Sequence, residues 1–299
     1  MRNKLTSLSE AIARVPDNAV VALGGNTLHR SPTAAVHELI RQRKRGLNLV
    51  KTAGAYDVDI LCGAGVASAV SAGFVGYENV FGMAPLYRRA VEQGLVRACE
   101  HTCYSVIAGL RAATQGVPFM PVNAFSLSDV PLAQGYKQVA DPYSGAEVFA
   151  VPAIQPEVAI VHVHEADAEG NARIYGTLFE DVLMVTAAKH VILTAEHIVD
   201  GSTFAAQPEL TTIAGFMVTH VVHAPRGAHP CSCHGLYDMD MGYLGDFYAQ
   251  AQTADSFEAF LREHVLDAAY HEMAQDVERE ADTLEWSEAA LGDVSHRAR

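Results

Sequence analysis

Apolar runs with the composition of buried strands alternate with helical patterns through the first two thirds of the chain, and this alternation restricts the possible folds more than any other feature. AVVALGG (19–25) is typical of a buried strand, PTAAVHELIRQRK (32–44) has helical spacing of apolar residues, and LNLVKTAG (47–54) is again strand-like. Continuous apolar strands that alternate with helices are characteristic of parallel sheets covered on both faces. We therefore predict an α/β fold with an open, mostly parallel sheet between two layers of helices.

The same order of elements continues along the chain. Strand-like segments follow at 67–74, 96–101, 157–167, 172–176, 191–199 and 215–225, and helical segments at 57–65, 84–95, 103–116 and 179–190. Residues 122–150 lack periodicity and are rich in Ser, Asp, Gly and Pro, which predicts a long functional or partner-facing loop. The acidic stretch after about 247 has a helical pattern.

No linker of distinct composition divides the chain. We therefore predict one α/β domain over residues 1–245, with residues 246–299 forming a helical C-terminal extension that packs on the same domain. A chain of 299 residues is long enough to bury a sizeable core in this arrangement.

The charge balance excludes some classes of partner. The formal net charge is −14, and the single basic run, RQRKR, lies at the end of a predicted helix. Nucleic-acid binding needs clustered Lys and Arg, so we expect no nucleic-acid partner. The sequence contains no apolar run long enough to span a membrane and no signal-peptide pattern. Five cysteines, an odd number, favour reduced thiols and a cytoplasmic location.

A glycine pair, Gly24 and Gly25, follows the first predicted strand. Ligands collect at the carboxyl ends of parallel strands, where glycine lets the backbone approach them closely. The two N–H groups could therefore stabilise an oxyanion. The alternative is a simple tight turn between strand and helix. The third glycine of a dinucleotide-binding fingerprint and the Gly-Lys-Ser/Thr of a phosphate loop are both absent.

A second candidate site lies in ACEHTCY (98–104). Glu100 and His101 end a predicted strand, and Tyr104 lies in the first turn of the next helix. A carboxylate in this position could act as a base or a nucleophile. The alternative is a helix-capping segment with a buried thiol.

The segment HVVHAPRGAHPCSCHG (220–235) combines histidines and cysteines, but the Cys-x-Cys-His spacing is too close for an ordinary zinc site. We predict no bound metal and a loop that exposes His229. Within 164–176, AEGN has the composition of a hairpin turn.

Together these residues resemble the α (A) subunit of class I coenzyme A transferases, in particular the glutaconate CoA-transferase-like branch. The similarity spans about residues 20–245. It rests on the Asp-Asn pair, the apolar run before Gly-Gly, Pro32, Glu100 and the blocks GLRAATQGVPFMPV, EVAIVHVHEADAEGNA and GAHP. Asn26 and Arg30 replace the phenylalanine and glycine of the family signature, which suggests a polar or carboxylated acyl group.

The resemblance implies a CoA-transferase that moves CoA between an acyl-CoA and a small carboxylic acid, without a permanently bound cofactor. In this class a glutamate of the homologous β subunit forms the enzyme thioester, commonly in a Ser-Glu-Asn-Gly setting. That tetrapeptide is absent here, so an αβ or α2β2 assembly is expected. The residues assigned to this chain's half of the site are Gly24, Gly25 and Glu100 as catalytic groups and Asn26, Arg30, Ser31, Gly54, His101, Tyr104 and His229 as substrate-binding groups.

Two other functions stay open. Members of this branch similar to steroid-ring-degrading enzymes open a carbon–carbon bond of a cyclic acyl-CoA, and Glu100 would then be the base. A non-catalytic acyl-CoA-binding subunit on the same fold is the third possibility.

Overall fold

The computed structural model describes residues 3–123, 125 and 128–267. Its strands are β1 (Val20–Leu23), β2 (Leu47–Gly54), β3 (Ala67–Val75), β4 (Arg97–Glu100), β5 (Phe119–Val122), β6 (Lys137–Ala140), β7 (Glu147–Pro152), β8 (Val158–Ala166), β9 (Ala172–Arg173), β10 (His190–Ile198) and β11 (His220–His223). Its helices are α1 (Leu8–Ala13), α2 (Thr33–Arg41), α3 (Tyr56–Gly63), α4 (Glu78–Phe81), α5 (Pro85–Glu92), α6 (Cys103–Thr114), α7 (Val130–Ala133), α8 (Asp181–Ala187), α9 (Gly201–Ala206), α10 (Met241–Gln250) and α11 (Ala254–Leu261).

The main sheet has the strand order β11-β10-β8-β1-β2-β3-β4, with β9 paired beside β8. Every neighbouring pair along this order is parallel, and only the short β9 runs antiparallel. The chain leaves β1 toward β2 on one side and later returns to β8 on the other. The order therefore reverses beside β1, where a doubly wound sheet opens a crevice at its carboxyl edge. The predicted fold class is confirmed.

Alternate residues of each strand point to opposite faces, and each face carries its own core. One face packs against α1, α2, α3, α5, α10 and α11 through residues such as Ile12, Leu39, Ile60, Phe247 and Phe260. The other packs against α6 and α8 through residues such as Val106, Leu110 and Met184. The sheet is thus covered on both sides, and its carboxyl edge remains for a site.

The predicted long loop at 122–150 is wrong in part, because the segment contains helix α7, strand β6 and most of strand β7. β5, β7 and β6 form a three-stranded antiparallel sheet that packs against α6 through Val122, Phe125 and Val151. The strands here are short, and the prolines that they contain, Pro121 and Pro152, mask the alternation that identifies a strand. Similarly, the strand predicted over 215–225 is confined to His220–His223.

The helices after residue 240 pack against the core of the main domain. Phe247 and Phe260 are fully buried, and the segment Arg262–Leu266 continues α11 as a π-helix. Helix α10 crosses the predicted boundary at 245, while residues 268–299 of the predicted extension lie outside the described part of the chain. The division into domain and extension stays a prediction. Within the described residues, none of the helices has both the length and the apolar character needed to cross a membrane.

Candidate functional site at the carboxyl edge of the sheet

The glycine loop after β1 is closed by internal hydrogen bonds. The Gly24 N–H donates to the Ile160 carbonyl at 2.9 Å, and the Gly25 N–H donates to Asp181 Oδ1 at 2.8 Å. Both glycines are buried. Neither N–H is free to bind a thioester oxygen, so the predicted donor role of these two groups does not fit the structure.

Steric constraints explain the glycines instead. A Cβ atom on Gly24 would collide with the Asp181 carboxylate, and one on Gly25 would collide with the carbonyl groups of His29 and Arg30. Gly25 also has a φ of 70°, a left-handed conformation that favours glycine. Glycine is therefore required at positions 24 and 25 so that the buried Asp181 carboxylate can approach the turn.

Arg30 is the counter-ion of that carboxylate. Its guanidinium pairs with Asp181 Oδ2 and donates to the carbonyl groups of His162 at 2.9 Å and Thr177 at 3.1 Å. The residue is 3% exposed. A direct contact between Arg30 and substrate does not fit this packing, because the donors already have buried partners. Arg30 therefore fixes the loop.

A second buried ion pair holds the loop from the opposite side. Lys51 Nζ pairs with Asp57 and donates to the Gly24 carbonyl at 2.8 Å and to Ser31 Oγ at 3.0 Å. Lys51 and Ser31 are both fully buried, so the predicted contact of Ser31 with substrate does not fit either. Sequence reasoning missed Lys51, although a lysine inside the apolar strand LNLVKTAG was a signal for a buried partner.

Beside this loop, Asn26, Thr52, Cys103 and Glu180 lie together at the carboxyl edge of the sheet, and we call the place where they meet the crevice. Thr52 Oγ1 donates to Glu180 Oε2 at 2.6 Å, and Asn26 Nδ2 lies 3.4 Å from the same hydroxyl oxygen. The Cys103 thiol donates to the Thr52 carbonyl at 3.4 Å. Asn26 and Glu180 are half-buried and Cys103 is exposed, so these side chains reach the solvent-facing edge.

Electrostatics argue against Cys103 as a nucleophile. Desolvation, followed by the Glu180 carboxylate, raises the pKa of the Cys103 thiol. The thiolate is the reactive form, so this environment keeps the group in its less reactive state. The Glu180 carboxylate is the stronger candidate for chemistry in this crevice. Sequence reasoning missed Glu180 because FEDVLMV has the pattern of an ordinary helix start.

His101 and Tyr104 lie beside this crevice at the start of α6. His101 Nδ1 is 2.9 Å from the Tyr136 hydroxyl and 3.2 Å from Ser105 Oγ, and burial lowers the pKa of the imidazole. The Tyr104 side chain is 47% exposed. Both residues are placed where a ligand could contact them, and their predicted roles stay predictions.

Glu100 lies on the other face of the sheet. Glu100 pairs in register with Ala72 of β3, and Ala72 pairs with Lys51 of β2. The Lys51 side chain lies on the face of the sheet that packs against α2 and α3. Partners in adjacent strands point to the same side, so Glu100 points away from Thr52. Desolvation is the main cause that raises the pKa of Tyr87 in α5 to about 12, and the Glu100 carboxylate adds to it. Glu100 is exposed at the carboxyl edge.

The remaining predicted residues are not gathered into the crevice. Gly54 is buried, and a side chain there would collide with Val58 in α3. His229 Nε2 lies 2.9 Å from Asp240 Oδ2, and its ring packs edge-on against Tyr243 at the start of α10. Burial is the main reason that the pKa of His229 is lowered.

One buried cluster has the chemistry of metal ligands. His162, Glu196 and Cys233 bring their donor atoms within 4.8 Å of one another. However, His162 Nε2 already bonds to Glu196 Oε1 at 2.7 Å, and the Arg226 N–H donates to Glu196 Oε2 at 2.6 Å. Burial raises the pKa of the Cys233 thiol, which opposes the thiolate that a metal requires. This arrangement fits a hydrogen-bonded network better than a metal centre.

Comparisons with known proteins identify the family of this chain. Residues 5–224 match the coenzyme A transferase family. The chain is a member of that family. It is 33% identical over 288 residues to the α (A) subunit of glutaconate CoA-transferase from Acidaminococcus fermentans, with 90% of each chain covered. It is 34% identical over 267 residues to the corresponding subunit of 3-oxoadipate CoA-transferase from Pseudomonas knackmussii, covering 88% of this chain and 93% of the relative.

Solved structures agree with this family. The crystal structure of the Acidaminococcus fermentans glutaconate CoA-transferase matches with a TM-score of 0.84 at 33% identity, covering 89% of each chain. The decarboxylase AibA/AibB matches with a TM-score of 0.78 at 34% identity, covering 88% of this chain and all of that chain. The predicted family and the α-subunit type are confirmed.

Two other relatives are also similar to this chain. The cholesterol ring-cleaving hydrolase IpdA subunit of Mycobacterium tuberculosis is 29% identical over 276 residues, covering 89% of this chain and 94% of the relative. An uncharacterized protein of Archaeoglobus fulgidus is 34% identical over 267 residues, and this chain spans only 60% of its length.

Proposed function

We propose that this chain is the α subunit of a two-chain CoA-transferase that moves CoA from an acyl-CoA to a carboxylic acid. The observation that carries the proposal is the match along nearly the whole chain to the α-type subunits of two CoA-transferases. The crevice at the carboxyl edge, bordered by Asn26, Thr52 and Glu180, would form this chain's share of the acyl pocket.

In the proposed reaction the partner subunit supplies the nucleophilic glutamate. Its carboxylate attacks the acyl-CoA carbonyl, which forms an acyl–glutamyl anhydride and releases CoA thiolate. The thiolate then attacks the glutamyl carbonyl, which gives a glutamyl–CoA thioester and releases the first carboxylic acid. The second acid reverses both steps. CoA enters and leaves as part of the substrates, so the cycle needs no resident cofactor.

In this proposal the glycine loop does not donate its N–H groups to the substrate. Gly24 and Gly25 would let Asp181 and Lys51 fix the turn that presents Asn26 to the crevice. The oxyanion donors would then come from other groups at the subunit boundary. This assignment keeps the loop in the mechanism as a rigid support rather than as a set of free donors.

The proposed location is the cytoplasm. All five cysteines are free thiols, and four of them are buried. Disulfides are rare in reducing compartments, so this state of the cysteines supports the proposal.

The test is a trapping experiment on the complex with its β subunit. The complex would be incubated with a panel of acyl-CoA esters, reduced with borohydride and analysed by peptide mass spectrometry. We expect one reduced glutamyl residue in the partner and, in a parallel incubation with acetate added and borohydride omitted, formation of acetyl-CoA. Binding of CoA esters without turnover or adduct would instead support the non-catalytic role.

A ring-opening hydrolase is the second candidate, favoured by the exposed Glu100 carboxylate at the sheet edge and by the similarity to the IpdA subunit. In that case a cyclic acyl-CoA would be cleaved with no glutamyl adduct. Glu100→Gln would abolish the cleavage. In the transferase, the same variant would retain the trapped adduct in the partner subunit.

A further inference from the structure

Glu180 differs from the other carboxylates around the glycine loop because it has no basic partner among the described residues. Asp181 pairs with Arg30, and Asp57 pairs with Lys51. Within the part of the chain that the structure describes, Glu180 forms no ion pair with a lysine, arginine or histidine. Its hydrogen-bond partner is the neutral Thr52 hydroxyl at 2.6 Å. The crevice thus carries a negative charge that the fold does not neutralise locally.

The backbone presents this carboxylate in a fixed position. Phe179, immediately before Glu180, has a φ of 49°, which is costly for a non-glycine residue. Its ring lies 5.7 Å from the Arg30 guanidinium carbon and stacks on His29. Asp181, immediately after Glu180, is fully buried. Because both neighbours are anchored, the backbone of Glu180 is held at the edge of the crevice, and the hydrogen bond from Thr52 sets the direction of its side chain.

The hydrogen bond between Thr52 and Glu180 determines which ligand groups can bind in the crevice. Thr52 is 1% exposed, and its hydroxyl hydrogen is directed to Glu180. A carboxylate is an acceptor only, so its remaining lone pairs suit a ligand that donates a hydrogen bond. A ligand carboxylate in the same place would meet a like charge. Arg30, the cation that could have received such a carboxylate, is already paired with Asp181.

We propose that Glu180, held by Thr52, is a specificity-determining residue that selects acyl groups with a terminal hydroxyl over those with a terminal carboxylate. The inference rests on the proposed function, since it assumes that the acyl group enters this crevice. It narrows the substrate class from polar acyl-CoA esters in general to hydroxylated ones. The acyl preference of this chain would then differ from that of a dicarboxylate-specific transferase.

The test uses the purified complex with its β subunit, with acetate as acceptor and three acyl donors of equal chain length. These donors are 5-hydroxyvaleryl-CoA, glutaryl-CoA and valeryl-CoA. For the unmodified complex we expect kcat/KM to be highest with 5-hydroxyvaleryl-CoA and lowest with glutaryl-CoA. Glu180→Gln should shift the ratio of these two values toward glutaryl-CoA by at least about tenfold, since hydrogen bonds to charged groups contribute about that much.

Two further variants separate charge from hydrogen bonding and from folding. Glu180→Asp retains the charge but shortens the side chain, so it should keep the discrimination against glutaryl-CoA and lose the preference for the hydroxyl group. Glu92→Gln makes the same chemical change on exposed α5 and should leave all three values unchanged. Urea unfolding of each variant would verify that the fold is retained.

The outcomes distinguish this inference from the proposed function. If Glu180→Gln lowers all three values equally, or leaves their ratio unchanged, Glu180 does not determine specificity and the inference is overturned while the transferase stands. The same holds if the unmodified complex prefers glutaryl-CoA. If the unmodified complex uses none of the three donors but forms the glutamyl adduct with another acyl-CoA, the inference is overturned and the transferase stands. If it forms the adduct with no acyl-CoA at all, both proposals fail.

Discussion

The Gly25 N–H group and the Arg30 guanidinium bind the two oxygens of one carboxylate, that of Asp181. Gly25 donates to Oδ1 at 2.8 Å, and Arg30 pairs with Oδ2. The glycine loop therefore takes its shape from a residue that lies 156 positions further along the chain. Since neither oxygen is available to a substrate, this carboxylate supports the site and does not perform chemistry there.

Asp181→Asn should strongly destabilise the protein. The substitution preserves shape but leaves the Arg30 charge buried without a counter-ion, and removal of one partner of a buried pair costs about 3–5 kcal/mol. Urea unfolding would measure the loss. Glu92→Gln removes one partner of the exposed pair with Arg88 and should leave the urea midpoint unchanged. Equal midpoints for both variants would contradict the role given to Asp181.

Gly25→Ala should cost more stability than Gly65→Ala, although the two glycines share nearly the same φ, 70° and 71°. At Gly65 an added Cβ meets no atom within 4 Å, so only the left-handed conformation is penalised, by about 1–2 kcal/mol. At Gly25 the Cβ also collides with two backbone carbonyls, which cannot move without displacing the loop. Unfolding free energies from urea titrations would compare the two variants.

The Gly25→Ala substitution should also change the activity of the complex. We expect Gly25→Ala to lower kcat of the complex, because the displaced loop no longer presents Asn26 to the crevice, while Gly65→Ala retains it. Losses of stability that are equal at the two positions would show that the close approach of His29 and Arg30 does not constrain the loop.

The fold was predictable because its signal is local. LNLVKTAG and EVAIVHVHEAD are continuous apolar strands, and each yields a strand within a few residues of the predicted bounds. The antiparallel sheet at 119–152 was missed because its strands are short and carry prolines such as Pro121 and Pro152. Alternation over four residues is too weak a pattern to distinguish strand from loop.

The site was less predictable because its key contacts join distant segments. Gly24, Gly25 and Arg30 were noticed as unusual residues, but only the fold reveals that Asp181 and Lys51 bind them internally. Glu180 carries no motif, and its importance follows from its distance to Thr52. Polar residues at strand ends can be found in a sequence, whereas the direction of each side chain depends on tertiary packing.

The stability of the protein should depend on His37 between pH 7 and pH 5. Burial, reinforced by the nearby Arg41, His229 and His264, lowers the pKa of His37 from 6.5 to about 3. The unfolded chain therefore binds a proton below pH 6.5 that the folded protein does not. The resulting contribution is fully present above pH 6.5 and decreases as the pH falls toward 3, by about 2 kcal/mol between pH 7 and pH 5.

His37→Gln isolates this contribution. Glutamine can maintain a hydrogen bond to the Tyr56 hydroxyl, which lies 2.8 Å from His37 Nε2, but it does not titrate. We expect unfolding free energy to fall more steeply with decreasing pH in the unmodified protein than in the variant. Parallel pH profiles from urea titrations would contradict the lowered pKa.

Alkylation of Cys103 provides a readout of the Glu180 charge that is independent of turnover. Desolvation and the Glu180 carboxylate raise the pKa of the thiol, so iodoacetamide should react slowly at pH 7 and faster as the pH rises. Glu180→Gln removes one of the two causes and should accelerate the reaction at pH 7, as followed by peptide mass spectrometry. Cys62 and Cys231 are buried and should stay unmodified in the folded protein, which provides an internal control. An unchanged rate in Glu180→Gln would mean that the carboxylate does not face the crevice beside Thr52. A faster reaction in Glu180→Gln, but not in the control Glu92→Gln, would show that the negative charge lies in the crevice, as the proposed acyl selection requires.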